Sequence, residues 1–181
     1  MQGIFFSEIR RFAGLALGLP EAEIEAAGGT AEHRPLERYP EADFFGLVGR
    51  LSGRAGLSQD ELLRRFGQYL FGRLVALFPV FFEGVGSVLD LLGDFERLVH
   101  DEVRRADERL DPPRLECLRP TPDRVEIVYR SRRDLADLAE GLILGCAAHF
   151  EEGVVVSRVP GTEPGAVRFA IRYAAGAPRR A

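Results

Sequence analysis

Two consecutive prolines, Pro112 and Pro113, divide the chain into parts of different periodicity, and no other feature restricts the fold as much. A proline pair removes two backbone donors and fixes two φ angles, so a helix stops there and the chain leaves in extended form. Before the pair, apolar residues recur at spacings of three and four; after it, short apolar runs flank one helical stretch. Helices first, then strands around one helix, predict an α+β fold: a helical N-terminal subdomain followed by an antiparallel sheet with one inserted helix. The 181 residues, 46% hydrophobic and 29% charged, suit one domain over 1–181. A chain of this size buries roughly 70% of its unfolded surface, enough to enclose a ligand-sized cavity.

Within the first part, Ile4 to Leu17 has helical spacing, and Gly28 to Pro40 reads as a loop holding His33. A helix resumes at Glu41, and Ser58 followed by Glu61 predicts a capping-box start for a long helix that Pro79 ends. A further helix is expected from about Ser87 to Arg109, with Val88, Leu92, Phe95, Val99 and Val103 on one face. Beyond the prolines, Leu115 to Leu118 and Val125 to Val128 read as strands, Asp134 to Phe150 as a helix, and Val154 to Val159 with Val167 to Tyr173 as a final hairpin.

Several function classes are excluded. A net charge of −4 does not fit a nucleic-acid footprint. The longest apolar run, Leu74 to Phe82, is interrupted by Pro79 and too short to span a bilayer, and MQGIFFSEIRR lacks the order of a signal peptide, so a cytoplasmic protein is expected. Cys117 and Cys146 form no CxxC pair, which fits a reducing compartment. The spacing of Cys146 and His149 places them on one helix face, where a buried thiol and a surface imidazole explain them without a metal. No phosphate loop, nucleophile elbow or paired-His helix is present, so an enzyme is not expected.

Two features carry chemistry. In VEIVYRSRR, strand alternation puts Tyr129, Ser131 and Arg133 on one side with Val125 and Ile127. Two hydroxyls and a guanidinium can grip a carboxylate, although an edge strand ending in solvated polar residues gives the same pattern. His100 lies beside the apolar stripe of its helix, as a half-exposed helix histidine or as a metal ligand. A lone neutral imidazole is what a haem iron requires, and haem would also bring two propionates to Tyr129, Ser131 and Arg133.

With these residues in place, the chain resembles the haem nitric oxide/oxygen binding (H-NOX) domains, bacterial relatives of the sensor domain of soluble guanylate cyclase. The resemblance runs through MQGIFF, DELLRRFGQYLFGRL followed by FPVFF, ERLVHDEV, PPRL, YRSRR and EGLILGCAAHFEE, nearly the whole chain. It implies one haem b between the helical part and the sheet, with residues about 1–60 as the distal part and about 61–175 enclosing the haem. By the same resemblance His100 is the iron ligand, Tyr129, Ser131 and Arg133 hold the propionates, and Pro113 packs against the porphyrin.

Oxygen-binding members carry a distal Tyr after YxSxR and polar support on two other helices, whereas the matching positions here are Leu138, Leu70 and Ile9. The distal pocket is expected to be formed by Ile9, Leu70, Leu74, Leu138 and Leu142. The resemblance therefore implies a sensor that binds nitric oxide and carbon monoxide, excludes oxygen, and signals to a separate histidine kinase or cyclic-dinucleotide enzyme. The alternative is a haem-free module of the same fold that binds a small ligand or a partner protein.

Overall fold

The computed structural model describes residues 1–29, 32–106, 112–131, 134–161 and 166–177. The helices α1 (Gly3–Leu15), α2 (Glu21–Ile24), α3 (Glu41–Ala55), α4 (Gln59–Leu77), α5 (Val88–Phe95) and α6 (Asp101–Ala106) precede the prolines. After them come β1 (Arg114–Thr121), β2 (Arg124–Arg130), α7 (Ala136–Phe150), β3 (Val154–Pro160) and β4 (Ala166–Tyr173). All strand pairs are antiparallel, in the order β1-β2-β4-β3, so the expected α+β architecture is observed.

Each expected helix has a visible cause. Phe6, Ile9, Phe12 and Ala13 give α1 a single buried face. Gly56, at φ 67°, ends α3 in the left-handed region that glycine adopts without a Cβ clash. Ser58 Oγ accepts from the Glu61 backbone N–H at 3.1 Å, which starts α4. The Glu61 carboxylate does not complete the expected capping box; it accepts from Arg64 and Arg65 at 2.9 and 2.7 Å instead.

Other expectations need correction. Ahead of the loop expected from Gly28, and not foreseen from the sequence, the chain makes the single turn α2 and a π turn over Glu25–Gly29, where apolar Ile24 and Ala27 are buried and Gly28, at φ 101°, leaves the helical path. The helix expected from Ser87 to Arg109 is not continuous. It is interrupted by a π turn over Glu96–His100, in which the Asp101 N–H donates to the Glu96 carbonyl, and positions 107–109 lie outside the described residues. Strand β1 extends past Leu118 to Thr121, its last residues exposed, as an edge strand permits even with Pro120 in it.

Two apolar clusters form the core. One joins α1, α2, α3 and the first half of α4 to Leu135 and Leu138, and the other joins α5 and the rest of α7 to the inner face of the sheet. Helices α4 and α7 belong to both. They cross at backbone contact because glycines stand where they meet: a Cβ on Gly141 would lie 2.1 Å from the Arg64 carbonyl oxygen, and one on Gly67 2.4 Å from that of Leu138.

Candidate functional site

Between α5, α7 and the inner face of the sheet lies an apolar cavity that opens to solvent. Phe71 of α4 and Ala139, Leu142 and Ile143 of α7 form one wall, and Leu92 and Phe95 of α5 another. The sheet side is made by Leu115 of β1, Ile127 and Tyr129 of β2 and Phe169 of β4, with Pro113 at the entry to β1. Strand alternation explains why Ile127 and Tyr129 both face it: Val125, Ile127 and Tyr129 are buried, with Tyr129 edge-on to Phe169 at 6.5 Å.

His100, last residue of the π turn, supplies an imidazole to this apolar lining. Its ring is buried and stands perpendicular to Phe95, with centroids 5.1 Å apart and planes at 89°. Nδ1 lies 2.9 Å from Glu96 Oε2, and Nε2 takes no hydrogen bond among the described residues. The Glu96 carboxyl is held below its ordinary value although burial works to raise it, because hydrogen bonds from His100 and Arg104 favour the charged form. An ionised carboxylate only accepts, so Nδ1 carries the proton of this contact, and of the two neutral tautomers it selects the one whose lone pair is on Nε2.

The structure thus brings His100, Pro113, Tyr129 and Leu142 of the expected site together around one cavity. Ser131 follows the end of β2 and is half-buried; Arg133 lies outside the described residues. Ile9, Leu70 and Leu138 do not line the cavity. They are buried in the neighbouring core of α1, α3 and α4, against which Leu74 and Leu142 also pack, so Leu142 alone of the five expected distal residues reaches the cavity wall. The reason is that helical periodicity identifies the buried face of a helix but not which of two adjoining cores it enters.

The remaining histidines stand elsewhere. His33 stacks on Phe6 at 4.2 Å with planes 6° apart, and His149 is exposed near the end of α7. Cys146 is fully buried on the same helix, and burial pushes its thiol well up, as an inert core cysteine requires. The four-residue spacing of Glu96 and His100 puts them on one side of the helix, but the contact to Nδ1 is seen only in the folded chain.

An apolar cavity with one buried imidazole whose Nε2 is unpartnered suits, in the chemistry of its lining, a flat, hydrophobic cofactor with an iron at its centre. No cluster of three or more His, Cys, Asp or Glu able to hold a bare metal ion is present among the described residues.

The family model described as haem-NO-binding matches residues 21–158, and the chain belongs to that family. Among solved structures, it is similar to the Fe(II) unliganded H-NOX protein from K. algicida, with a TM-score of 0.83 and 20% identity over 96% of this chain and 97% of that one. The H-NOX protein from S. oneidensis in the Fe(II)NO ligation state gives 0.84 and 21% identity over 96% and 99%. The I5F mutant of T. Tengcongensis H-NOX gives 0.82 and 23% over 96% and 97%. At these identities the likeness establishes the shared fold. No curated protein sequence matches the chain. None of the described helices is long and apolar enough to cross a membrane.

Proposed function

We propose that this chain is a cytoplasmic haem-based gas sensor, without catalytic activity of its own, that binds nitric oxide and carbon monoxide, excludes oxygen and signals to a separate effector such as a histidine kinase or cyclic-dinucleotide enzyme. One observation carries the reading: a single buried imidazole, with its Nε2 unpartnered, on an otherwise apolar cavity wall. Bound haem b supplies the ferrous iron at which a diatomic gas is taken up.

In this reading His100 holds the iron through Nε2, and Tyr129, Ser131 and Arg133 hold the propionates by hydroxyl and guanidinium donation. Pro113 packs against the ring from the entry to β1, and the apolar wall excludes water. Leu142, the one expected distal residue on the cavity wall, offers no side-chain donor, and Ile9, Leu70, Leu74 and Leu138 of the adjoining core offer none either, so oxygen gains no hydrogen bond from them, whereas nitric oxide needs none. A ligand-dependent change in the hold on His100 reaches β1 through the π turn, because Glu96 of that turn also accepts from the Leu115 N–H at 3.1 Å.

Substitution His100→Gly tests the assignment. The expected result is a folded protein that loses the haem absorption band and regains it when imidazole is added. Full haem occupancy with an unchanged ferrous spectrum in that variant would remove His100 from the site.

A further inference from the structure

We propose that Glu96 is a positioning residue for His100: it fixes which ring nitrogen faces the cofactor and strengthens that nitrogen as a donor. This rests on the reading of His100 as the iron ligand. The two oxygens of Glu96 are fully engaged by groups from the π turn, α6 and β1. Oε2 accepts from His100 Nδ1 at 2.9 Å and from the Leu115 backbone N–H at 3.1 Å, and Oε1 accepts from Arg104 at 2.9 Å. Arg104 in turn donates to Asp101 at 3.0 Å and to the Pro113 carbonyl at 3.3 Å. The carboxylate therefore has one place to be, and the ring bonded to it has one orientation, closed on the other side by the perpendicular face contact with Phe95.

The chemical consequence follows from the partner's charge. A free imidazole can carry its proton on either nitrogen, but a carboxylate at Nδ1 selects the form whose lone pair is at Nε2. A negative partner also draws the Nδ1 proton toward itself and makes Nε2 more basic, which is how outer carboxylates tune histidine ligands generally. The same carboxylate ties that nitrogen to the first residues of β1, so the strength of the ligand and the seating of Pro113 and Leu115 depend on one side chain.

The test uses the haem-loaded chain of residues 1–181 and Glu96→Gln, which keeps an acceptor of the same reach and removes the charge. Resonance Raman of the ferrous form is expected to show the iron–histidine stretching band at lower frequency in the variant, with about 10- to 100-fold weaker haem affinity. Glu96→Asp, which keeps the charge, is expected to return the band toward its original position. An unmoved band in a Glu96→Gln protein with unchanged thermal stability would overturn the proposal. Should the unaltered chain take up no haem, the gas-sensor reading fails, and the ¹⁵N shifts of the His100 ring in the purified full chain then decide the matter for Glu96. An unprotonated Nε2 supports the positioning role, and a protonated one overturns it.

Discussion

The close crossing of α4 and α7 makes Gly141→Ala a demanding test of how the cavity wall is built. A methyl group at this position would sit 2.1 Å from the Arg64 carbonyl oxygen and 2.9 Å from Gly67 Cα, both backbone atoms that cannot rotate away. Restoring ordinary contact distance requires the helices to part by roughly 1 Å, and a gap of that order forfeits a quarter to a half of the dispersion attraction between facing atoms. Overpacking of this kind costs about 3 kcal/mol at the upper end, and replacing a helical glycine by alanine returns about 1 kcal/mol, so the net loss is about 2 kcal/mol. For a domain of this size that corresponds to a melting temperature lower by roughly 4–8 °C. Circular dichroism of variant and unaltered protein at matched haem occupancy measures it. Gly72→Ala, on the exposed side of α4 with nothing within 4 Å of the added methyl, is the control and is expected to raise the melting temperature. A rise in both variants would refute the backbone-contact account of the crossing.

Three further outcomes are expected. Asp90 at the start of α5 has its carboxyl held below the ordinary value of 3.8, first by the hydrogen bond from Arg119 and next by that from Ser87. Its contribution is therefore present above the unfolded-state value and lost as pH falls through the folded-state one, so the stability gap between the unaltered protein and Asp90→Asn should close below about pH 4 in urea titrations; a gap that widens on acidification contradicts this. Burial pushes the Cys117 thiol up to about 11, so at pH 8 only about one molecule in a thousand carries the thiolate, and labelling should run on the order of 100-fold slower than for a free cysteine. Rapid stoichiometric labelling of native protein would show the site to be open. Ferrous protein in air should form no stable oxygen complex, while Leu142→Tyr, at the one expected distal position on the cavity wall, should move it toward oxygen binding by about tenfold to a hundredfold, the worth of one hydroxyl donor of about 1–3 kcal/mol in a dry pocket. A stable oxygen complex in the unaltered protein would demand a distal donor. Tyr69 of α4 is committed elsewhere, its hydroxyl 3.4 Å from Glu8.

The sequence made the architecture legible because its strongest signals are long ones. Pro112 and Pro113 mark the change from helices to strands, the spacings in α1, α3 and α4 leave one helix face apolar, and α7 is apolar over most of its surface. The π turn at Glu96–His100 was not legible, since apolar residues Val88, Leu92, Phe95 and Val99 keep their three- and four-residue rhythm through it. A single backbone bond of longer reach has no compositional mark. Likewise α2 is one turn long, too short to establish a period.

For the site, alternation along β2 was enough to bring Ile127 and Tyr129 to one face, whereas Pro113 was expected beside them only through the family resemblance. What could not be read was depth. Ile9, Leu70 and Leu138 look the same in sequence as Phe71, Ala139 and Ile143, but a shift of one position around α4 or α7 moves a residue from the N-terminal core to the cavity wall. The contact of Glu96 with His100 was visible as a spacing, yet its meaning depended on Leu115 and Arg104, which converge on the same carboxylate only after folding.

Haem held in the cavity beside His100 is the state on which gas binding depends. Titration of the purified full chain with haem, followed by absorption spectroscopy, measures this most directly. A sharp Soret band saturating at one haem per chain, and shifting when nitric oxide is added to the ferrous form, is the predicted result. A spectrum no different from that of haem free in buffer, at every ratio of haem to protein, would contradict it.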